Sequence, residues 1–207
     1  MSTREKILDT ALTLFNTEGT GSVSTNHIAE AAGISPGNLY YHFRNKDEII
    51  RGLFERLFAA NDAAFALPGN QLPRLDDLQK MVKTNYKILW QYRFAHRELA
   101  ALLRADAELR GRFLTVRKRG FEGFQQLFQA FATAGVLHMP EDSKSIENLA
   151  EIVWLITESW LNSIEVSGRN VNEAQMERGV ELMMQVLEPY IKPQSNTKKE
   201  SHVSNKL

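Results

Sequence analysis

Apolar side chains recur at steps of three and four along almost the whole chain, and β-branched residues in strict alternation are nearly absent. The pattern predicts an all-α protein. Ile7, Ala11, Leu14 and Phe15 carry the first stripe, with Ser2 and Glu5 at capping-box spacing before it and Gly19 behind it, so a helix is expected over about Thr3–Glu18. Ser24 can cap a short helix over Thr25–Ala32, in which Ile28 and Ala32 share a face and which Gly33 ends. Ser35 caps another short helix, opened by Pro36 and carrying Leu39 and Phe43 on one side. Asn45 and Glu48 repeat the capping spacing ahead of Ile49, Ile50, Leu53, Phe54, Leu57 and Phe58, which predicts a fourth helix from Lys46 to about Phe65. Two prolines and a glycine between Leu67 and Pro73 break the pattern there.

Beyond that break the helical period resumes over about Leu75–Gln91, His96–Leu103, Ala107–Ala134, Ser145–Val166 and Asn172–Tyr190. The fourth of these is apolar on two sides and so needs two partners. After Pro193 the chain has too little apolar content to fold and reads as a flexible tail. The expected division is therefore a unit over 1–66, a larger helical unit over 67–192 and a tail over 193–207.

Composition narrows the function. The 207 residues are 43% apolar, enough for a sizeable core, yet the longest apolar runs are five residues, which excludes a membrane-spanning helix. An N-terminus of Ser-Thr-Arg-Glu-Lys lacks a signal-like apolar segment, so the expected location is the cytoplasm. Without cysteine there is no disulfide framework and no thiolate site. No Gly-rich phosphate loop, nucleophile elbow or His-Glu-x-x-His run occurs, so neither an enzyme nor a cofactor or metal is expected. His96, Glu98 and Asp106, near a helix junction, read as surface partners rather than a metal cluster. The formal net charge is zero, which argues against nonspecific coating of nucleic acid and leaves binding to a local patch.

One patch qualifies. No acidic residue lies between Glu30 and Asp47, whereas Arg44, Lys46 and the titratable His42 do. Helix, Gly-containing turn and short helix make a helix-turn-helix, whose last helix exposes Gly37, Asn38 and Tyr41 opposite its apolar face. Asn26 and His27 sit in the first turn of the preceding helix, where free N–H groups favour phosphate, and Lys46 opens the next one. The run "STNHIAEAAGISPGNLYYHFRNKDEII" resembles the DNA-binding domain of the TetR family of bacterial transcriptional regulators, over roughly Thr3–Leu57. Beyond that stretch the resemblance is to an overall helical plan.

The resemblance implies a homodimeric, ligand-responsive repressor that reads a pseudo-palindromic double-stranded operator and is nucleoid-associated when bound. The DNA-contacting set is then Ser24, Thr25, Asn26, His27, Ser35, Pro36, Gly37, Asn38, Tyr40, Tyr41, His42 and Lys46, with Tyr40 and Lys46 resembling the family's phosphate contacts. Asn26 stands where many members carry a basic or larger polar residue.

Tyr86, Leu89, Trp90, Phe94, Phe121, Phe124, Phe128 and Trp154 could fill a core or line an apolar pocket, and the resemblance favours a pocket between the fifth, seventh and eighth helices for an apolar or amphipathic effector. Trp160, Ile164, Met176, Val180, Met183 and Leu187 repeat along the last two helices and are expected at an isologous four-helix dimer contact. Six basic residues between Arg104 and Arg119 read as a solvated face. Two alternatives are a helical interaction module that turns the helix-turn-helix to protein contacts, and a bundle enzyme.

Overall fold

The computed structural model describes residues 1–193 except 68, 70, 139 and 141. The expected tail beyond Pro193, and Pro68 and Asn70 of the expected break, lie outside the described residues. Among those described, nine α-helices follow one another: α1 Thr3–Glu18, α2 Thr25–Ala31, α3 Pro36–His42, α4 Lys46–Ala64, α5 Leu75–Gln91, α6 Arg93–Ala105, α7 Ala107–Thr133, α8 Ser143–Val166 and α9 Glu173–Leu187. A 3₁₀ turn over Glu188–Tyr190 follows, and a lone antiparallel bridge joins Leu137 to Ile191.

The helices start where short polar side chains cap their free N–H groups. Ser2 accepts from Glu5 N (3.2 Å), Ser24 from His27 N (3.1 Å), Ser35 from Asn38 N (3.2 Å) and Asn45 from Glu48 N (2.9 Å). Further along, Asp106 and Asn172 cap α7 and α9 in the same way. Gly33 ends the α2 turn at φ +62°, a conformation that costs glycine little and other residues more.

Two cores result. The first gathers Ile7, Leu8, Phe15, Ile28, Leu39, Phe43, Ile49, Leu53 and Phe54 of α1–α4, and it is completed by Tyr92, Phe94, Ala95, Leu102 and Leu109 from beyond the break. Phe94 packs on Phe15 and Phe54, with ring centroids 5.5 and 6.2 Å apart. The second core joins α5, the second half of α7, α8 and α9 through Met81, Tyr86, Leu89, Phe128, Phe131, Leu161, Ile164 and Met183. In it α5 and α9 approach closely at Gly179, where a Cβ would lie 2.2 Å from the Tyr86 ring.

Polar contacts bolt the first core to α6. The Asn16 side chain donates to Gln91 O (2.8 Å) and accepts from Phe94 N (3.0 Å). Thr20 N donates to Glu98 Oε1 (2.9 Å) and the Thr20 hydroxyl donates to Glu98 Oε2. Of the six basic residues read as a solvated face, Arg104, Arg110, Arg112, Lys118 and Arg119 are exposed and Arg117 is half-buried; within that face Arg112 grips Glu55 and Arg119 grips Asp62 through two hydrogen bonds each, and Arg117 pairs with Glu158. Arg51 adds a bond to Asp106 (2.7 Å), so a row of ion pairs straps α4 along α7. The sequence pattern missed this because α4 offers its carboxylates at seven-residue spacing, two turns apart, to match arginines spaced alike on another helix.

Candidate nucleic-acid interface and cavity

The polar face of α3 stands in solvent. Ser35, Pro36, Gly37 and Asn38 are exposed, and Tyr41 is 84% exposed, an unusual investment for a large aromatic ring in the absence of a partner. Its ring meets the His42 ring edge-on at 5.1 Å. Tyr40, 48% exposed, shares a hydrogen bond with Thr25 at 3.0 Å, which fixes the first turn of α2 beside the last turn of α3. Ser24 and Asn26 are exposed and Thr25 and His27 half-buried; His27 faces Glu18 at 3.8 Å. The twelve residues expected at the nucleic-acid face thus lie on the first turns of α2 and α4, on α3 and on its cap, with the α2 and α3 first turns carrying no acidic side chain.

Lys46 has a task that the sequence did not show. Its Nζ donates to Thr20 O (2.7 Å) and Val23 O (3.1 Å), tying the α1–α2 turn to the start of α4. One of its three N–H donors remains for a phosphate. Arg44 is exposed just before it, and Lys6 is exposed on α1 with its Nζ 3.9 Å from the place a Cβ would take at Gly33. Both extend the positive rim; charge alone marked them in the sequence.

The second feature is a cavity of about 380 Å³ within the range of small-molecule sites. Its wall comes from five helices: Phe54, Leu57, Phe58, Asn61 and Asp62 of α4, Asn85, Ile88 and Leu89 of α5, Ala95, His96 and Leu99 of α6, Phe113, Val116, Arg117, Arg119, Gly120, Gly123, Phe124 and Leu127 of α7, and Val153, Trp154, Thr157 and Glu158 of α8. Of the eight expected lining residues, Leu89, Phe124 and Trp154 are there.

The other five are corrected by their packing. Phe94 fills the first core, Tyr86 packs on Gly179, and Phe128 lies in the second core against Tyr190. Trp90 lies under the Arg93 guanidinium, 4.6 Å away, and Phe121 stacks on Trp154 from behind at 4.7 Å. Trp154 in turn lies on Gly120, where a Cβ would come 2.2 Å from its ring.

Two of the cavity's polar groups stand apart from Asp62, Asn85, Arg117, Arg119, Thr157 and Glu158. His96 Nδ1 and Asn61 Oδ1 are shut off from solvent without a hydrogen-bond partner. Burial lowers the His96 pKa from 6.5 to about 4, so the ring is neutral at pH 7. His96, Glu98 and Asp106 do not come together as surface partners: His96 lines the cavity, Glu98 holds Thr20 and Asp106 takes Arg51. Asn61 escaped the sequence reading because one polar residue at the end of an apolar stripe looks like the edge of a solvated face.

The residues expected at a dimer contact are also reassigned. Trp160, Ile164, Met176, Met183 and Leu187 are all buried, facing the protomer's own second core, and Val180 is half-buried. The apolar surface that α8 leaves to solvent is instead Ile152 (46% exposed), Leu155 (63%) and Val166 (86%). With the exposed Ser159 and Asn162 these fall at steps of three and four on one face. Among the described residues no helix is long and apolar enough to cross a membrane.

Comparison with known proteins agrees with this geometry. Residues 7–53 match the family described as "Bacterial regulatory proteins, tetR family" and residues 58–198 match "Bacterial transcriptional repressor". The chain is 43% identical over 53 residues to the HTH-type transcriptional regulator AcrR of Shigella flexneri, covering 26% of this chain and 25% of that one. It is 37% identical over 90 residues to the HTH-type transcriptional repressor KstR2 of Rhodococcus jostii, covering 42% and 43%. The matched stretches thus span a quarter to under half of these curated relatives. A crystal structure of a TetR-family transcriptional regulator from Marinobacter aquaeolei VT8 matches over 96% of this chain and 95% of its own, at 32% identity and a TM-score of 0.84. With both halves of the chain matched and 96% of it superimposed on such a regulator, the protein belongs to the TetR family of bacterial transcriptional regulators.

Proposed function

We propose that the protein is a homodimeric repressor that binds a pseudo-palindromic operator through α2 and α3 and is released by a small apolar or amphipathic effector. The observation that carries this reading is that α4 serves both ends: its first residue, Lys46, braces the helix-turn-helix, while Leu57, Phe58 and Asn61 form a wall of the cavity. Residues 1–66 carry the DNA-reading chemistry in this reading, and 67–192 supply the rest of the cavity and the dimer face.

The roles divide by chemistry. Asn38 and Tyr41 read base edges from the exposed face of α3, while Tyr40, Lys46 and the first turn of α2 hold phosphates and fix register. The two half-sites lie one to one and a half helical turns apart, set by pairing of two protomers through Ile152, Leu155 and Val166 of α8. The cavity biases the DNA-competent arrangement only through differential affinity for the two arrangements, typically about 1–3 kcal/mol of coupling.

Selection of bound fragments from the source organism's genomic DNA, followed by titration of the recovered site, tests the proposal. Recovery of a site with two inverted half-sites, bound in a salt-dependent way by a dimer, supports it. Failure to bind any DNA at low salt sinks it and favours a helical interaction module.

A further inference from the structure

The cavity is not uniformly apolar, and its two unsatisfied atoms specify a ligand. Asn61 Oδ1 on α4 and His96 Nδ1 on α6 line the same cavity from different helices, and both are sealed from solvent without a partner. Buried polar atoms are normally paired, so two such atoms in one cavity, whose other polar lining is Asn85, Thr157 and two ion pairs, mark where a ligand's own polar group belongs.

The charged groups on the same wall are already engaged. Arg119 holds both oxygens of Asp62 (2.8 and 2.7 Å), and Arg117 is paired with Glu158 while lying 5.3 Å from the Phe121 and Trp154 rings. Arg117 and Arg119 are matched one for one by Glu158 and Asp62, so a carboxylate or phosphate entering the cavity leaves the wall with an excess negative charge. A ligand ammonium would likewise leave an excess positive charge there.

Resting on the reading of this cavity as the effector site, we propose that the effector is an uncharged apolar molecule carrying a hydroxyl group that bonds Asn61 and His96 together. A hydroxyl suits both sites with a single group, because it donates one hydrogen bond and accepts others. The Asn61 carbonyl oxygen takes the hydroxyl proton, and the neutral imidazole of His96 meets the hydroxyl oxygen with its N–H. A ketone or ester only accepts and leaves Asn61 Oδ1 unpaired. A pure hydrocarbon leaves both atoms unpaired. Trp154 and Phe124 supply flat apolar surface for the body of the ligand.

Three matched probes test this by calorimetric titration into the full-length protein at neutral pH: 2-naphthol, naphthalene and 2-naphthoate. They share one ring system and differ in the polar group, and at that pH the first two are neutral and the third ionised. The expected result is that 2-naphthol binds at least tenfold more tightly than either of the others. In Asn61→Leu, and separately in His96→Phe, that advantage falls to threefold or less, with helical content unchanged by circular dichroism. Equal affinity of the wild-type protein for 2-naphthol and 2-naphthoate, or for 2-naphthol and naphthalene, overturns the hydroxyl assignment while leaving the cavity as a binding site. Discrimination that survives in both folded variants overturns the roles of Asn61 and His96. Binding of none of the three overturns this inference and the effector-site reading together.

Discussion

The Glu98 carboxylate on α6 receives both the backbone N–H and the hydroxyl of Thr20, so a residue two positions past the cavity's His96 holds the turn that leads into the helix-turn-helix. Thr20 is buried, and in the same turn its carbonyl accepts from Lys46. Removing Glu98 therefore orphans a buried donor. Glu98→Ala is expected to cost about 1–3 kcal/mol in urea unfolding, the range for an unsatisfied buried donor. It should also reduce the effector's hold on operator affinity, whereas Glu98→Ala with wild-type stability and wild-type coupling would show the contact to be idle.

At the DNA face two classes of substitution should separate. Asn38→Ala or Tyr41→Ala is expected to relax base preference by roughly 1–3 kcal/mol per contact. Tyr40→Phe and Lys46→Ala should weaken operator and scrambled DNA alike. Because Lys46 also holds Thr20 O and Val23 O, Lys46→Ala carries a second expectation, a lower melting temperature. Titrations at several salt concentrations check the phosphate role, and an unchanged salt slope would leave Lys46 with its bracing task alone.

The dimer prediction turns on which side of α8 is free. Leu155→Glu with Ile152→Glu is expected to yield folded monomers in sedimentation at micromolar concentration and to weaken operator binding. Trp160→Asp or Met183→Asp, placing unpaired charge among buried residues of the second core, should unfold the protomer instead. Stable dimers of the Leu155/Ile152 variant would move the interface elsewhere.

Substitutions around the cavity discriminate wall from core. Gly120→Ala puts a Cβ 2.2 Å from the Trp154 ring and must displace it, so it should change the affinity of any effector recovered by operator release while leaving ligand-free DNA binding nearly intact. Trp154→Ala should blunt the response in the same way. Trp90→Ala, outside the cavity beneath Arg93, should leave the response near wild type. By reciprocity, saturating operator must weaken effector binding by the factor that effector weakens operator binding.

His96 makes stability depend on pH. Its pKa is lowered from 6.5 to about 4 by burial, and the charged side chains of the same wall, Asp62, Arg119, Arg117 and Glu158, are paired among themselves. Between those values the unfolded chain binds a proton that the folded chain refuses. The contribution is therefore complete above pH 6.5 and lost as pH falls toward 4, amounting to about 3 kcal/mol. The unfolding free energy of wild type minus that of His96→Phe, followed from pH 7.5 to 4.5, should fall on that slope; a flat difference would mean the ring titrates normally.

The helices were legible because their starts are written in single residues. Ser2, Ser24, Ser35 and Asn45 each cap where expected, and Gly33 turns left-handed where the α2 pattern stops. What a stripe faces was not legible. Trp160, Ile164 and Met183 repeat at helical period whether their partner is α5 of the same protomer or a second chain, and only the packing around Tyr86 and Gly179 separates the cases. Phe94 and Trp154 look alike as aromatic residues in amphipathic helices, yet one closes the first core and the other borders a void. Packing density, unlike periodicity, is set by residues distant in sequence, and a cavity is a failure of packing that no local pattern encodes.

Helix α4 crosses from one region to the other as a single rod, pinned near its middle where Phe54 meets Phe94. At 1.5 Å per residue, Lys46 stands about 12 Å on one side of that pin and Asn61 about 10 Å on the other. The rod is a see-saw with nearly equal arms. A push of about one ångström at Asn61 returns about one ångström at Lys46 in the opposite sense, without magnification. On the proposed function, operator release comes from the sensitivity of DNA contacts to small misplacement, doubled by the two protomers, and a softer α4 would absorb the signal before the α1–α2 turn felt it.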